Sequence, residues 1–295
     1  MKILDNDYSV VTNPNMKHDA VLFIDVENGN PNGDPDFDGR PRVNPISGLG
    51  EITKVCINRR IRDYVEEAYD EQLYVSRSNG NTLHEQKDII MKDKNLPENV
   101  GKTDIELACE TWFDVRMFGA AFMGKGDLNW GACRGPFHWN DAISMDTVDD
   151  IIKKESITCS VRTKPDEGKD DFSQFGSYYK IPYALYRAEG WYSVPDGEKN
   201  NVSSEDLRLL WEAARRCWDI DKSTMRGKVN FRGLYIFSHN HRLGNAYSQA
   251  LFDTIKVERN FELGGHPSSF SDYHIHVSGF DEITDDVTLT RLLEF

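Results

Sequence analysis

His18-Asp-Ala-Val-Leu-Phe-Ile-Asp-Val-Glu-Asn-Gly-Asn-Pro-Asn-Gly-Asp-Pro35 changes character half-way along. Its first half holds Ala20-Val-Leu-Phe-Ile24, a short continuous apolar run that suits a buried strand, expected over His18–Val26. From Asn28 to Gly50 the chain is dense in Gly, Pro, Asn and Asp and must be a loop. Pro31, Pro35, Pro41 and Pro45 each restrict the preceding residue to extended geometry, so the loop is stiff and winding. A helix is expected over Glu51–Tyr69, because Ile57, Ile61, Tyr64, Val65 and Ala68 recur at helical spacing. Lys54, Asn58 and Arg62 lie on one line beside that apolar stripe. The order is therefore strand, stiff loop, basic helix.

Further along, Glu71 to about Gly101 is polar and reads as a partly helical insertion. Asp104–Ala121 reads as helix around Leu107, Ala108 and Trp112, followed by a glycine-rich stretch from Gly124 to Gly135. Strands are expected at Phe137–Ser144, Lys180–Ser193, Arg232–His239 and His274–Val277. Ser203-Ser-Glu-Asp206 opens a helix with a capping-box-like pattern. Thr163–Gly176, with Phe172 and Phe175 among polar residues, reads as a hairpin or mobile loop. The coarse order is compatible with a βαββαβ ferredoxin-like or RRM-like core of α+β class.

Composition sets the outer limits. The chain has 295 residues, enough for one large domain with insertions or two small ones. Apolar content of 39% and charged content of 28% are ordinary for a folded domain. No apolar run approaches the ~20 residues that span a bilayer, and Met1–Asp7 lacks a signal-peptide pattern, so a cytoplasmic location is expected. The five cysteines are scattered without a CxxC, which points to reduced thiols rather than a zinc ribbon or redox motif.

A net charge of −14 argues against nucleic acid if charge is evenly spread, because phosphate neutralisation dominates such binding. It is not evenly spread. Arg40 to Arg62 holds six basic residues and one acid, Glu51. Lys222 to Arg242 holds five basic residues, among them Arg226, Lys228 and Arg232, and no acid. Acids crowd elsewhere, at Asp146–Asp150 and Asp281–Asp286. A locally basic surface on an acidic body is a footprint of nucleic-acid binding, against the plainer reading of two solvated faces.

Several catalytic patterns fail. Asp34-Pro-Asp36-Phe-Asp38-Gly39 resembles the start of a calcium loop, but its twelfth position is Pro45 where a bidentate acid is required. A magnesium site for phosphodiester cleavage stays open at these aspartates, against a solvated turn. His239-x-His241 and His274-x-His276 each place two imidazoles on one face if strand-borne, without a nearby third ligand. G-x-S-x-G, the P-loop and G-x-G-x-x-G are absent. Arg232-Gly-Leu-Tyr-Ile-Phe matches only the opening of an RNP1 motif, so standard base stacking on the sheet is not expected.

What survives is the loop and basic helix. Arg40 and Arg42 flank Pro41, and Ser47, Gly48 and Gly50 are expected at the helix entrance, where free N–H groups favour phosphate. Thr53, Lys54, Asn58 and Arg59 continue along the helix. Such a surface tracks a sugar-phosphate backbone without reading bases.

These residues carry a resemblance. Val26-Glu-Asn-Gly-Asn-Pro-Asn-Gly-Asp-Pro35, Pro41-Arg-Val-Asn-Pro45 and Gly48-Leu-Gly-Glu-Ile-Thr-Lys-Val-Cys56 resemble the Cas-seven family, type I-C branch. Arg134-Gly-Pro136, Ile181-Pro-Tyr-Ala-Leu-Tyr186, Leu210-Trp-Glu-Ala213, Arg232-Gly-Leu-Tyr235 and Leu243-Gly-Asn-Ala246 extend it in order, from about residue 20 to 255. The resemblance implies a modified RRM-like palm with a helical insertion over residues 70–130 and a thumb-like hairpin over 163–178. It implies a non-catalytic subunit of the type I-C Cascade complex that grips CRISPR guide RNA and stacks head to tail. Its partners would be the guide, target DNA through the guide, further copies of itself and other Cascade subunits, with no cofactor or metal. The expected RNA contacts are Arg40, Arg42, Ser47, Thr53, Lys54, Asn58, Arg59, Arg134, Lys180, Arg226, Lys228 and Arg232, with Phe172 or Phe175 as a wedge. Two places depart from the family pattern. Ser177-Tyr-Tyr-Lys180 leaves the charge there to Lys180, and Ile157-Thr-Cys-Ser lacks the arginine expected after Thr158. The rival readings are a metal-dependent RNase using Asp34, Asp36 or Asp38, and an RNA-binding domain that does not polymerise.

Overall fold

The apolar run is the centre of the molecule. His18–Val26 are all buried, in a strand that continues to Gly29. This is seen in a computed structural model that describes residues 2–95, 99, 101–124, 129–159, 174–220, 222–223, 225–260 and 265–293. In chain order the first elements are β1 (Lys2–Asp5), β2 (His18–Gly29), β3 (Gly33–Asp34), β4 (Arg40–Pro41), β5 (Leu49–Ile52) and α1 (Lys54–Tyr69). Next come α2 (Leu83–Asp93), α3 (Asp104–Thr111), α4 (Phe113–Phe118), β6 (Gly119–Phe122), β7 (Gly131–Arg134), β8 (Phe137–Trp139), β9 (Ala142–Thr147) and β10 (Lys153–Cys159). The remainder are β11 (Gln174–Tyr192), α5 (Val194–Lys199), α6 (Ser204–Ile220), β12 (Lys228–His239), α7 (Ser248–Phe252), β13 (Ile255–Arg259), β14 (Tyr273–Val277) and β15 (Val287–Leu292).

The main sheet is mixed. Its strands lie in the order β1-β15-β12-β2-β11-β9-β5, and β8 and β10 also pair with β11. β2 is antiparallel to both of its long neighbours, with Tyr186 opposite Ile24 on one side and Ile236 opposite Ala20 on the other. Because side chains alternate along a strand, β2 feeds two cores. Ala20, Leu22, Ile24 and Val26 pack with Ile57 and Ile61 of α1 and with Leu210, Trp211 and Ala214 of α6. Val21 and Phe23 face the opposite side, packed with Leu251 and Phe252 of α7 and with Tyr273. A third, smaller core joins Tyr74, Ile90, Leu107, Trp112, Val115 and Phe122. Among the described residues, no helix is long and apolar enough to cross a membrane.

The local chemistry explains most boundaries. Ser203 and Asp206 cap α6 reciprocally, with Ser203 N donating to Oδ2 at 2.8 Å and Asp206 N donating to Ser203 Oγ at 3.1 Å. Three expectations need correction. The helix after the loop begins at Lys54, not Glu51, because Leu49–Ile52 pair with β9 as an edge strand and Ile52 is buried. Thr53 caps it, its hydroxyl accepting from Cys56 N at 3.2 Å while its own N–H donates to Asn32 Oδ1 at 3.0 Å. The helix expected over Asp104–Ala121 is instead α3 and α4, broken at an extended, buried Trp112, followed by β6. The strand expected over Phe137–Ser144 is split at Asn140 and Asp141, where Asn140 N donates to Glu189 O and Asp141 Oδ1 takes Lys54 N.

Candidate nucleic-acid interface

The loop that leaves β2 is fixed by two glycines. Gly29 and Gly227 bring the ends of β2 and β12 so close that a Cβ at Gly29 would lie 1.9 Å from Arg226 O. A Cβ at Gly227, whose φ is +63°, would lie 2.3 Å from Asn28 O. Only glycine fits at either position. Asn30 N then donates to Met225 O at 3.0 Å, which seats the loop against the start of β12.

A groove of about 420 Å³ opens beside this crossing, lined by Asn30, Asn32, Asp38, Cys56, Tyr179 and Arg226 among others. Burial holds the Arg226 guanidinium below its ordinary pKa, and the charge of Arg60 adds to the shift. Arg60 is itself buried, lies over the Trp218 ring at 5.2 Å, and donates from Nη2 to Pro31 O at 3.2 Å. The charge of Asp63 opposes the Arg226 shift, so Arg226 sits partly dehydrated in a mixed field on the groove wall. Tyr179 supplies an aromatic wall, with Lys154 Nζ 5.3 Å from its ring centroid. An aromatic face beside guanidinium groups suits a single nucleic-acid strand.

The basic stretch read from the sequence is largely engaged within the protein. Arg40 Nη2 meets Asp149 Oδ1 at 2.9 Å. Arg42 Nη1 meets Asp34 Oδ2 at 3.3 Å. Arg59 Nε donates to Asp63 Oδ1 at 2.8 Å, and its Nη1 to Val75 O. Arg62 Nε reaches the buried Asp114 at 2.8 Å. Lys54 is exposed on the first turn of α1, and Asn58 is half-buried. Lys180 pairs with Glu155 at 2.5 Å, and the exposed Arg134 sits 3.4 Å from Asp196.

Ser47, Gly48 and Gly50 are not at the helix entrance. Ser47 lies in an exposed turn closed by Gly48 N donating to Asn44 O, while Gly50 N is bound to Ser144 Oγ. The insertion of β5 before α1 is the reason. Residues 160–173, with Phe172, lie outside the described residues, as does the Phe175 side chain. The described part of that hairpin is a ribbon running from Lys153 opposite Lys180 to Cys159 opposite Gln174.

A second groove of about 880 Å³ lies between the end of α6 and the start of β12, and includes Tyr64, Arg216, Lys228 and Arg232. Lys228 binds Glu27 at 3.0 Å, and Arg232 Nε reaches the buried Asp25 at 2.7 Å while stacking on Phe270. Arg226 and Lys228 thus open into different grooves on either side of Gly227. On the sheet itself Tyr235 and Phe237 are buried under the second core, so they offer no stacking face.

The other candidates take structural positions. Asp34 Oδ1 accepts from Asp36 N at 3.1 Å, and its second oxygen takes Arg42. Asp38 turns the chain with φ of +53° and lines the smaller groove. His239 and His241 do not share a face, because β12 ends at His239. His239 is buried, its Nε2 2.9 Å from Asp19 Oδ2 and its Nδ1 accepting from Asn245 N, whereas His241 is exposed. His274 and His276 do share one, their rings stacked 5.2 Å apart. Among the described residues no three His, Cys, Asp or Glu side chains are grouped for a metal ion.

Arg60, beneath the loop, and Tyr179, on the groove wall, were not singled out from the sequence. The signal for Arg60 was present: it stands three residues after Ile57 and four before Tyr64, a charge on the apolar face of its helix.

The family model of CRISPR-associated protein Cas7 matches residues 16–278, which takes in the glycine crossing and both grooves. The chain belongs to the Cas7 family. A CRISPR-associated protein Cas7 of Haloferax volcanii is 25% identical over 239 residues, covering 72% of this Cas7-family chain and 67% of that protein. Among solved structures, a chain of a pre-nicking CRISPR RNA-guided surveillance complex aligns with a TM-score of 0.47 at 11% identity, over 75% of this chain and 78% of that one. A chain of the type III-B Cmr-beta complex bound to cognate target RNA aligns at 0.42 and 11% identity, over 75% and 61%.

Proposed function

We propose that this Cas7-family chain is a non-catalytic guide-RNA-binding subunit that stacks head to tail as the backbone of a type I-C Cascade surveillance complex. The observation that carries this reading is the groove that Asn30, Asn32, Tyr179 and Arg226 line beside the glycine crossing. It offers a guanidinium and an aromatic wall to a strand of any sequence, and base pairing along the held guide then reads target DNA. Lys54 and Arg134 remain exposed as further contacts for the strand, Lys228 and Arg232 line the second groove, and Arg40, Arg42, Arg59 and Lys180 are held by carboxylates.

The palm is read as a modified RRM-like βαββαβ core. In its favour, β2, α1, β9, β11, α6 and β12 follow in that order, their strands lie as β12-β2-β11-β9, and both helices pack on one face. Residues 70–130 are read as its helical insertion; of the thumb expected over 163–178, residues 163–173 lie outside the described residues. Head-to-tail stacking draws support from exposed apolar groups at opposite ends of β2. Phe37 and Ile46 stand on the loop that leaves it at Gly29; Leu243 and Tyr247 stand on the loop that leaves β12 beside His18. Unlike patches separated by a 12-residue strand, ~40 Å, make a heterologous contact that does not close on itself.

The test is the RNA that copurifies. Wild-type protein should carry RNA that Arg226→Glu loses, and RNA-bound protein should scatter light as a multimer. Bound RNA retained by Arg226→Glu overturns the groove, and a monomeric complex overturns the stacking. Labelled RNA incubated with Mg²⁺ should stay intact; cleavage that Asp36→Ala abolishes would establish the RNase reading instead.

A further inference from the structure

The third core carries a chemistry that RNA binding does not use. Cys109 on α3 and Cys133 on β7 are 24 residues apart in sequence, and their Sγ atoms lie 3.5 Å apart. Both are free thiols and both are buried, Cys133 at 8% exposure and Cys109 at 3%. Asn200 orients the pair. Its Nδ2 donates to Arg116 O at 3.1 Å and Arg134 O at 3.0 Å, which leaves Oδ1 facing Cys133 Sγ at 3.6 Å. Cys133 S–H donates to that oxygen, and the two sulfurs lie within hydrogen-bond distance of each other. The hydrogen bond between them holds the Cys133 thiol below its ordinary pKa, and Cys133 is the more exposed of the two, so it is the sulfur an oxidant meets first.

We propose that Cys109 and Cys133 are a disulfide-forming site that takes a low-molecular-weight disulfide, such as oxidised glutathione, as its oxidant. The Cys133 thiolate attacks one sulfur of the oxidant. The oxidant's S–S bond breaks, and the leaving thiolate takes a proton from water. Cys109 loses its proton to solvent, and its sulfur attacks Cys133 in the mixed disulfide, expelling the second small thiol. Two protein thiols are oxidised and one small disulfide is reduced to two thiols. The new bond ties α3 to β7, next to Arg134. Closing a 24-residue loop stabilises the fold chiefly by restricting the unfolded chain.

Reduced full-length protein is incubated with oxidised glutathione, alkylated, digested and mapped by mass spectrometry. The expected product has lost two hydrogen atoms, contains a linked Cys109–Cys133 peptide pair, and melts several degrees higher until dithiothreitol restores it. Cys109→Ala should show no such link and should retain a glutathione adduct on Cys133. If that variant does not fold, the wild-type peptide map decides alone. Recovery of both cysteines as alkylated thiols, while the half-buried Cys56 carries glutathione, overturns the proposal.

Discussion

Of the two basic stretches, the one from Arg40 to Arg62 meets carboxylates both near and distant in sequence. Asp149 takes Arg40, Asp34 takes Arg42, Asp63 takes Arg59 and Asp114 takes Arg62. The stretch from Lys222 to Arg242 is paired as well, Lys222 with Asp219, Lys228 with Glu27, Arg232 with Asp25 and Arg242 with Glu198, but it also places the half-buried Arg226 on the wall of the smaller groove, which Tyr179 shares. The sequence shows similar charge density in both. What differs is whether the fold turns a guanidinium towards a groove, and that depends on residues far away. An arginine held by an aspartate on an open turn has less to offer a strand than one that lines a groove with an aromatic wall.

The largest effect on this comparison is expected at Asp114. It is buried and accepts from Arg62 Nε, Tyr74 N and Val75 N. Asp114→Ala strands a guanidinium and two amides, and should cost about 3–5 kcal/mol of stability in urea unfolding. A small loss would mean that the first stretch is not structural. Arg226→Ala should weaken RNA binding about 10- to 100-fold, the ~1.5–3 kcal/mol of a charge-assisted hydrogen bond, measured by fluorescence anisotropy. Gly227→Ala places a Cβ against Asn28 O at positive φ. It should cost about 1–3 kcal/mol and displace the groove, so RNA affinity falls along with the melting temperature. Arg40→Ala removes a pair whose members are 40% and 58% exposed, and should change stability by less than ~1 kcal/mol.

The legible parts of the fold were those whose evidence is local. Ala20–Ile24, the Ile57–Ile61–Tyr64 stripe and the Ser203–Asp206 cap each declare an element within a few residues. β5 was illegible because four residues become a strand only by pairing with β9, with Ile52 opposite Ala142. Trp112 broke a helix because it packs with Tyr74 and Phe122, neither adjacent in sequence. The site divides in the same way. The glycines and the basic runs were visible, and Arg226 among them. The crossing of Gly29 with Gly227 was not, and neither was Arg60 beneath Pro31, because each joins distant segments.

The most direct test is the salt dependence of RNA binding for wild type, Arg226→Ala and Arg40→Ala measured side by side. Each phosphate contact contributes a slope of roughly 0.7 in log affinity against log salt for a single strand. Arg226→Ala should lower the slope by about one contact, and Arg40→Ala should leave it near wild type. An unchanged slope and affinity in Arg226→Ala, with both reduced in Arg40→Ala, would place the RNA on the first stretch and contradict the groove.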